Sequence, residues 1–374
     1  MRIGIFTEYF PRTDDFEVKG GAEASAFNEA KYLSQNHQVT VITSNESGSY
    51  KNDYINEIKV IRCGKVREYV QTGSFIDRLS YMKAAYDQGK NENFDIIVAY
   101  NFITYPIVWK LSRKLEIPCV ARYHDVWIGE WVNNVGFKGI TGEILERYTL
   151  SRDFDRIIAV SNYTRKKLEK FVSPNKINVV PNIVEVPPIK VDKFNRPTIC
   201  CVSRLVEYKR VADLIKAVSI LENDIPDINC IIIGTGPREE YLKKMVKKFD
   251  LEENIKFYGF VKSHLDVLKT IKASDLFCLP SSVEGFGIVI VESMRLGVPF
   301  VASNISPLIE ASHKKGGLFF QLKNYKELSE KIKYLLKDKE KYKQLSREGI
   351  RYSSMYKGKK IAGKLEKIYY ELIN

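Results

Sequence analysis

The chain lacks any run of apolar residues long and clean enough to span a bilayer. Its best candidate, Phe94–Trp109, is broken by Asp95, Asn101, Thr104 and Pro106. The opening stretch MRIGIFTEYF reads directly as a strand, without the apolar core and small-residue cleavage site of an export signal, so a cytoplasmic protein is expected. Cys63, Cys119, Cys200, Cys201, Cys230 and Cys278 form no Cys-x-x-Cys pair, and most lie in apolar, strand-like runs. They are expected as small buried hydrophobes, not as disulfides or metal ligands. A complete dinucleotide fingerprint is missing as well. Gly234-Thr235-Gly236-Pro237 follows an apolar run, but Glu239 stands where the third glycine belongs, which excludes a nicotinamide or flavin enzyme. A tight turn with Pro237 at the first helical position is the better account, and no cofactor is expected.

Positive charge is what the chain has in excess. Lys and Arg number 59 against 46 Asp and Glu, a net charge of +13. Nucleic acid, an anionic membrane surface and a phosphorylated substrate all suit such a balance, as do lysines on solvated helices. No recognition-helix or RNA-binding signature accompanies it, so a nucleic-acid partner is not expected. The excess is densest from Lys331 to Lys367, with thirteen Lys and Arg against four Asp and Glu. That face suits anionic lipid or plain solvent. Lys65 to Lys90, carrying Tyr69, Phe75, Leu79, Tyr81 and Met82 among its charges, is a second candidate contact.

A chain of 374 residues exceeds the size at which one core stops growing, so two domains are expected. Apolar runs at 3–7, 39–43, 59–62, 95–100, 118–123, 156–160 and 178–180 alternate with helical stretches, and the pattern restarts at 198–202, 228–233, 255–258, 276–279 and 300–302. This alternation predicts parallel sheets with helices on both faces. A connector at Pro187-Pro188 places the boundary at 190/191. Open α/β sheets bind ligands beyond the carboxyl ends of their strands, so facing sheets imply a cleft.

The chemistry concentrates between Ser281 and Asn304. Glu284 and Glu292 lie eight positions apart, and Gly285-Phe286-Gly287 between them allows backbone N–H groups to approach a ligand. The stretch 288–291 is β-branched, yet the residues after it favour helix and Gly297 and Pro299 form a stop, so a helix starting at the glycines is predicted. Its positive end then meets the turn, a place for an anion or a ring of hydroxyls.

Two glutamates at this spacing resemble the hallmark of the retaining glycosyltransferases of family 4. The resemblance implies the GT-B fold: two Rossmann-like α/β domains, 1–190 on the acceptor side and 191–356 for the nucleotide sugar, facing across a cleft. A last helix within 357–374 would return to the first domain. It implies that Arg204 and Lys209 neutralise the leaving diphosphate and that Glu284 holds sugar hydroxyls. Glu292 is expected to bind the ribose, since a carboxylate accepts from a vicinal diol. Gly234 and Gly236 are expected near the donor, and Phe260 and Val261 at the nucleobase.

On the acceptor side the resemblance covers the Gly20-Gly21 loop after Lys19, His124 at a strand end, and Asn182, although Ile183 replaces the glycine usual after that Asn. Trp127 and Trp131 suit an acceptor platform or plain packing. The expected reaction is retaining transfer from a UDP- or GDP-linked sugar to a hydroxyl of a glycan, glycolipid or polyprenyl-linked acceptor. No nucleophile stands out, so the leaving phosphate is expected to take the acceptor's proton. No Asp-x-Asp metal site stands out either, and no divalent metal is expected. An epimerase of the same fold and a non-catalytic nucleic-acid-binding protein are the alternatives.

Overall fold

The structure, a computed structural model, describes residues 1–13, 20–67 and 75–374. The chain divides into two compact units, Met1–Ile183 with Gly358–Asn374, and Val184–Lys357. In chain order the first holds β1 (Arg2–Phe6), α1 (Gly21–Leu33), β2 (Gln38–Glu46), β3 (Asn52–Ile55), β4 (Ile58–Arg67), α2 (Phe75–Gly89), β5 (Ile96–Ala99), α3 (Tyr105–Leu115), β6 (Cys119–Tyr123), α4 (Trp131–Val135), α5 (Gly139–Leu150), β7 (Arg156–Ala159), α6 (Asn162–Leu168) and β8 (Ile177–Val179). The second holds β9 (Thr198–Val202), α7 (Val211–Leu221), β10 (Asn229–Ile233), α8 (Glu239–Lys248), β11 (Ile255–Gly259), α9 (His264–Ala273), β12 (Leu276–Leu279), α10 (Ile288–Arg295), β13 (Phe300–Ser303), α11 (Ser306–Ser312), β14 (Gly317–Phe320), α12 (Tyr325–Lys337) and α13 (Lys339–Ser353). The final helix, α14 (Gly358–Ile373), belongs to the first unit. The division falls ahead of the Pro187-Pro188 connector. Ile183 is buried in the first core, whereas the Val184 N–H donates to the Tyr356 carbonyl inside the second unit.

The first sheet has the order β3-β4-β2-β1-β5-β6-β7-β8, parallel except for β3 against β4. The second runs β11-β10-β9-β12-β13-β14, parallel throughout. β5, β6 and β12 are buried at every position, as strands covered by helices on both faces must be. Strand order reverses beside β1 in the first sheet and beside β9 in the second, so the crevices for ligands lie at the carboxyl ends of β1 and β5 and of β9 and β12.

α14 completes the first core with Ile361, Ala362, Leu365, Ile368 and Tyr369. Its first residue, Gly358, lies so close to Tyr32 on α1 that an added Cβ would sit 2.0 Å from the ring. Only glycine permits that approach. Beneath the same helix, Glu29 and Arg122 form an ion pair at 2.7 Å with both side chains fully buried. Glu29 Oε1 also accepts from Ser25 Oγ, and Oε2 accepts from the Tyr100 hydroxyl at 2.5 Å. Arg122 donates further to the Val180 and Pro181 carbonyls. A buried charge pair is tolerable only when its remaining lone pairs and protons are satisfied, and here α1, Tyr100 after β5 and the segment after β8 supply the partners.

Candidate active site

In the second unit, β9 ends and the chain passes through Ser203–Lys209 before α7. The path of this loop is set by glycine. Gly234 has φ +129, and a Cβ there would lie 2.0 Å from the Ser203 carbonyl oxygen; a Cβ on Gly236 would lie 2.4 Å from that of Leu205. The Leu205 N–H donates to the Thr235 carbonyl, and the Arg238 N–H to that of Leu205. The two glycines thus seat the Arg204 loop against the sheet edge. Pro237 does not open a helix as expected, because these bonds hold 235–238 as a turn and α8 begins at Glu239.

The loop is stitched to the end of β12. Both the N–H and the hydroxyl of Ser282 donate to the Tyr208 carbonyl, at 2.8 and 3.0 Å. This brings Lys209 Nζ to 2.5 Å from Glu284 Oε1, with the side chains 14% and 12% exposed. Arg204 stands exposed, bonded to the Tyr208 hydroxyl, and the cations of Arg204 and Lys209 lie 5.8 and 5.7 Å from the Tyr208 ring centre. The arrangement is two cations flanking an aromatic ring and one carboxylate, a set able to take on further negative charge.

α10 follows from Gly287, which sits in the left-handed region at φ +89 where a Cβ would strike Leu308. Phe286 turns inward, 4% exposed, edge-on to Tyr356, and so anchors the turn between Gly285 and Gly287. One face of α10 carries Glu292 into the interior, 4% exposed. Its Oε1 lies 2.9 Å from His264 Nε2, whereas its Oε2 is buried without a hydrogen-bond partner, as is Ser281 Oγ. Burial opposes a charge on His264, but the Glu292 carboxylate outweighs it and raises the imidazole pKa. Phe260, past the end of β11, is 45% exposed, and Val261 is half-buried beside it. An apolar ring left in solvent at a strand's carboxyl end is free to meet a planar ligand.

His264 and Tyr208 are absent from the sequence-based assignment. Ser263 caps α9 by accepting from the Asp266 N–H, which local sequence suggests. The His264 partner lies on another helix and has no local signature. Cys201, beneath the site, is pushed up to about 12 by burial and offers no thiolate.

The remaining expected residues, Gly20, Gly21, His124 and Asn182, belong to the first unit. Gly20 precedes α1 in extended backbone, with open space where a Cβ would stand, and Gly21 is the first residue of the helix. Lys19 lies outside the described residues. Asn182 is 2% exposed with its side-chain amide 3.0 Å from Ser25 Oγ, which places it in the buried Glu29 network. His124 follows β6 half-buried, its ring 6.2 Å from that of Tyr100 and its Nε2 without a partner. Burial, with Arg122 nearby, pushes its pKa down to about 3, so the ring is neutral near pH 7.

Trp127 and Trp131 pack at 5.2 Å with their indole N–H groups committed to Asp125 and Glu146. Burial raises the Glu146 carboxyl to about 7, eased by hydrogen bonds from the Trp131 indole and the Trp127 backbone N–H. The chain does contain one Asp-x-Asp triplet, Asp153-Phe154-Asp155, but it sits at the amino end of β7. Asp153 pairs there with Lys176, and Asp155 with Arg113 and the Cys119 N–H.

The basic segment 331–367 runs through α12 and α13 of the second unit and α14 of the first, and several of its lysines are paired, Lys333 with Asp224 and Lys343 with Glu340. In the other basic stretch Tyr81, on α2, is buried with its hydroxyl 2.8 Å from the Thr7 and 3.1 Å from the Ile42 carbonyl oxygen; Tyr69 lies outside the described residues. No helix among the described residues is long and apolar enough to cross a membrane.

Comparison with known proteins bears on the family and the fold. Residues 19–186 match the family described as Glycosyltransferase Family 4, and residues 185–352 that described as Glycosyl transferases group 1. An uncharacterized glycosyltransferase of Haemophilus influenzae is 32% identical over 221 residues, which cover 58% of this chain and 62% of that protein. Among solved structures, sucrose-phosphate synthase from Thermosynechococcus elongatus superposes with a TM-score of 0.84 at 16% identity, covering 99% of this chain and 98% of that one. Anabaena HepE, in complex with UDP and glucose, gives 0.75 at 19% identity with all of both chains covered. These two likenesses speak to the GT-B fold.

Proposed function

The chain belongs to the family 4 glycosyltransferases, and on that footing we propose that it moves a sugar from a UDP- or GDP-linked donor to a hydroxyl acceptor with retention of anomeric configuration. The observation that carries the proposal is Glu292, a buried carboxylate with one oxygen held by His264 and the other unpartnered. A ribose hydroxyl is the partner that Oε2 lacks. Departure of the diphosphate leaves negative charge on phosphate oxygens, and Lys209 and Arg204 stand ready to take it. Glu284 holds the Lys209 ammonium in place beforehand, so little reorganisation is needed, and it keeps lone pairs for sugar hydroxyls. Neutral His124 contributes a hydrogen bond and not a proton at pH 7. The leaving phosphate takes the acceptor's proton, and catalysis comes from positioning and charge. A nucleotide donor is in keeping with HepE, whose structure holds UDP and glucose.

Within this proposal the acceptor is a glycan, glycolipid or polyprenyl-linked molecule, reached at an anionic membrane surface. The net charge of +13 supports that placement, as do Phe137 at 87% exposure and Ile140, Ile144 and Tyr148 exposed at successive helical turns of α5. The test is incubation with UDP- and GDP-sugars and acceptors of each class, with and without a chelator, the product linkage being read by NMR. A product with the donor's anomeric configuration, formed in chelator, is expected. An inverted product, or an altered free nucleotide sugar formed without acceptor, would overturn the proposal, the latter in favour of an epimerase.

A further inference from the structure

β4 does not run straight to its end. Ser44 of β2 pairs with Cys63, but Glu46 pairs with Arg67, so the ladder slips between them. Gly64 takes the bend at φ +85, and an added Cβ would lie 2.9 Å from the Tyr81 backbone, so no larger residue fits. Such bulges re-aim side chains at sheet edges. Here the distortion delivers a guanidinium into the interior at the carboxyl edge, two strands from the point where strand order reverses.

The Arg67 side chain is 5% exposed. Its Nη2 donates to Glu8 Oε1 at 3.1 Å, and its guanidinium lies 4.9 Å from the centre of the Tyr9 ring. Nε and Nη1 are buried with no hydrogen-bond partner. They carry three of the five N–H donors of a guanidinium, and buried charged donors are costly to leave unpaired. Glu8 does not balance the charge, because the same Oε1 accepts from Arg78 Nε at 3.0 Å, so one carboxylate serves two cations. Among the described residues, Glu46, Asp53 and Glu23 act around Arg12 and Arg62, and Arg62 is further occupied by the Phe10 and Pro11 carbonyls. Arg78 is 22% exposed, and its guanidinium lies 5.4 Å from the Phe102 ring centre.

We propose that Arg67, with Arg78 and the Tyr9 ring, binds an oxyanion, a phosphate or a carboxylate, and that this group is carried by the acceptor of the transfer proposed above. The buried donors fix its direction, and the surplus cation selects acceptors that bear a negative charge. Only the assignment to the acceptor rests on the transferase proposal.

Calorimetric titration of the full chain with inorganic phosphate and with malonate, up to tens of millimolar, tests the site. The titrations are made on an Arg204→Ala background, to weaken the competing phosphate site of the second unit. At least one of the two anions is expected to bind, phosphate pointing to a phosphorylated acceptor and malonate to a carboxylated one. Arg67→Met is expected to weaken that binding about tenfold or more, and Arg78→Gln, at a partly exposed position, about threefold. Binding of neither anion, or unchanged affinity in Arg78→Gln and in folded Arg67→Met, would overturn the proposal. UDP and GDP titrated into the unmodified chain separate the two claims. Failure of both nucleotides while anion binding persists sinks the donor assignment and leaves this site standing; the reverse result sinks this site alone.

Discussion

Glu29 and Glu292 are both buried carboxylates on helices that follow a strand, and they are finished differently. Glu29 has every oxygen spoken for: Arg122 and Ser25 at Oε1, Tyr100 at Oε2. Glu292 has a single titratable partner at Oε1 and an empty Oε2. A completed network fixes structure, whereas an incomplete one at a sheet's carboxyl edge holds a place for a ligand. Lys209–Glu284 and Arg67 follow the second pattern, the former because both side chains keep some exposure, the latter because its donors outnumber its acceptors.

The contrast breaks most visibly at Arg122. Arg122→Met strands the Glu29 charge and should cost about 3–5 kcal/mol in urea unfolding, while Arg122→Met combined with Glu29→Leu should recover much of it. An equal loss in single and double variants would mean that the network is not acting as a charge pair. Next in size is Lys209→Met, expected to lower the transfer rate about 10²–10³-fold with unfolding little changed, because an electrostatic contact to the leaving group is lost. A rate within threefold of the unmodified enzyme would remove Lys209 from the chemistry. Glu292→Gln keeps shape but loses charge, and about tenfold weaker nucleotide binding is expected, with no comparable effect from a change on the solvent side of α10.

The smallest effect concerns two histidines, and it sharpens the comparison. Folding raises the His264 pKa, so its contribution to stability is full below about pH 6.5 and is lost as pH rises through the folded value. His124 behaves oppositely. Its folded pKa of about 3 means that protonation of the unfolded chain drains stability as pH falls below about 6.5. Ring-proton NMR should show one histidine titrating above the ordinary range and one still neutral near pH 4. Glu292→Gln should bring the first back down and leave the second alone.

Most of the architecture was legible because parallel strands buried on both faces leave near-continuous apolar runs, and α1, α10 and α14 begin beside glycines. β3 was not, since Asn52-Asp53-Tyr54-Ile55 is a half-solvated edge strand with little apolar pattern. In the site, Glu284, Lys209 and Arg204 could be named from motif and spacing. The work of Gly234 and Gly236 could not, because it is a backbone approach to residues some thirty positions earlier. Nor could His264, Arg67 or the Asn182 network, whose meaning lies in partners on other elements. Burial and an absent hydrogen-bond partner are properties of the fold and leave no mark in the order of residues.

The most direct measurement is calorimetric titration of the unmodified chain with UDP and GDP, repeated on Glu292→Gln and Lys209→Met. One nucleotide should bind without divalent metal, with affinity reduced about tenfold or more in each variant. Binding of neither nucleotide, or binding that both variants leave unchanged, would contradict the assignment of the second unit's site to a nucleoside-diphosphate donor.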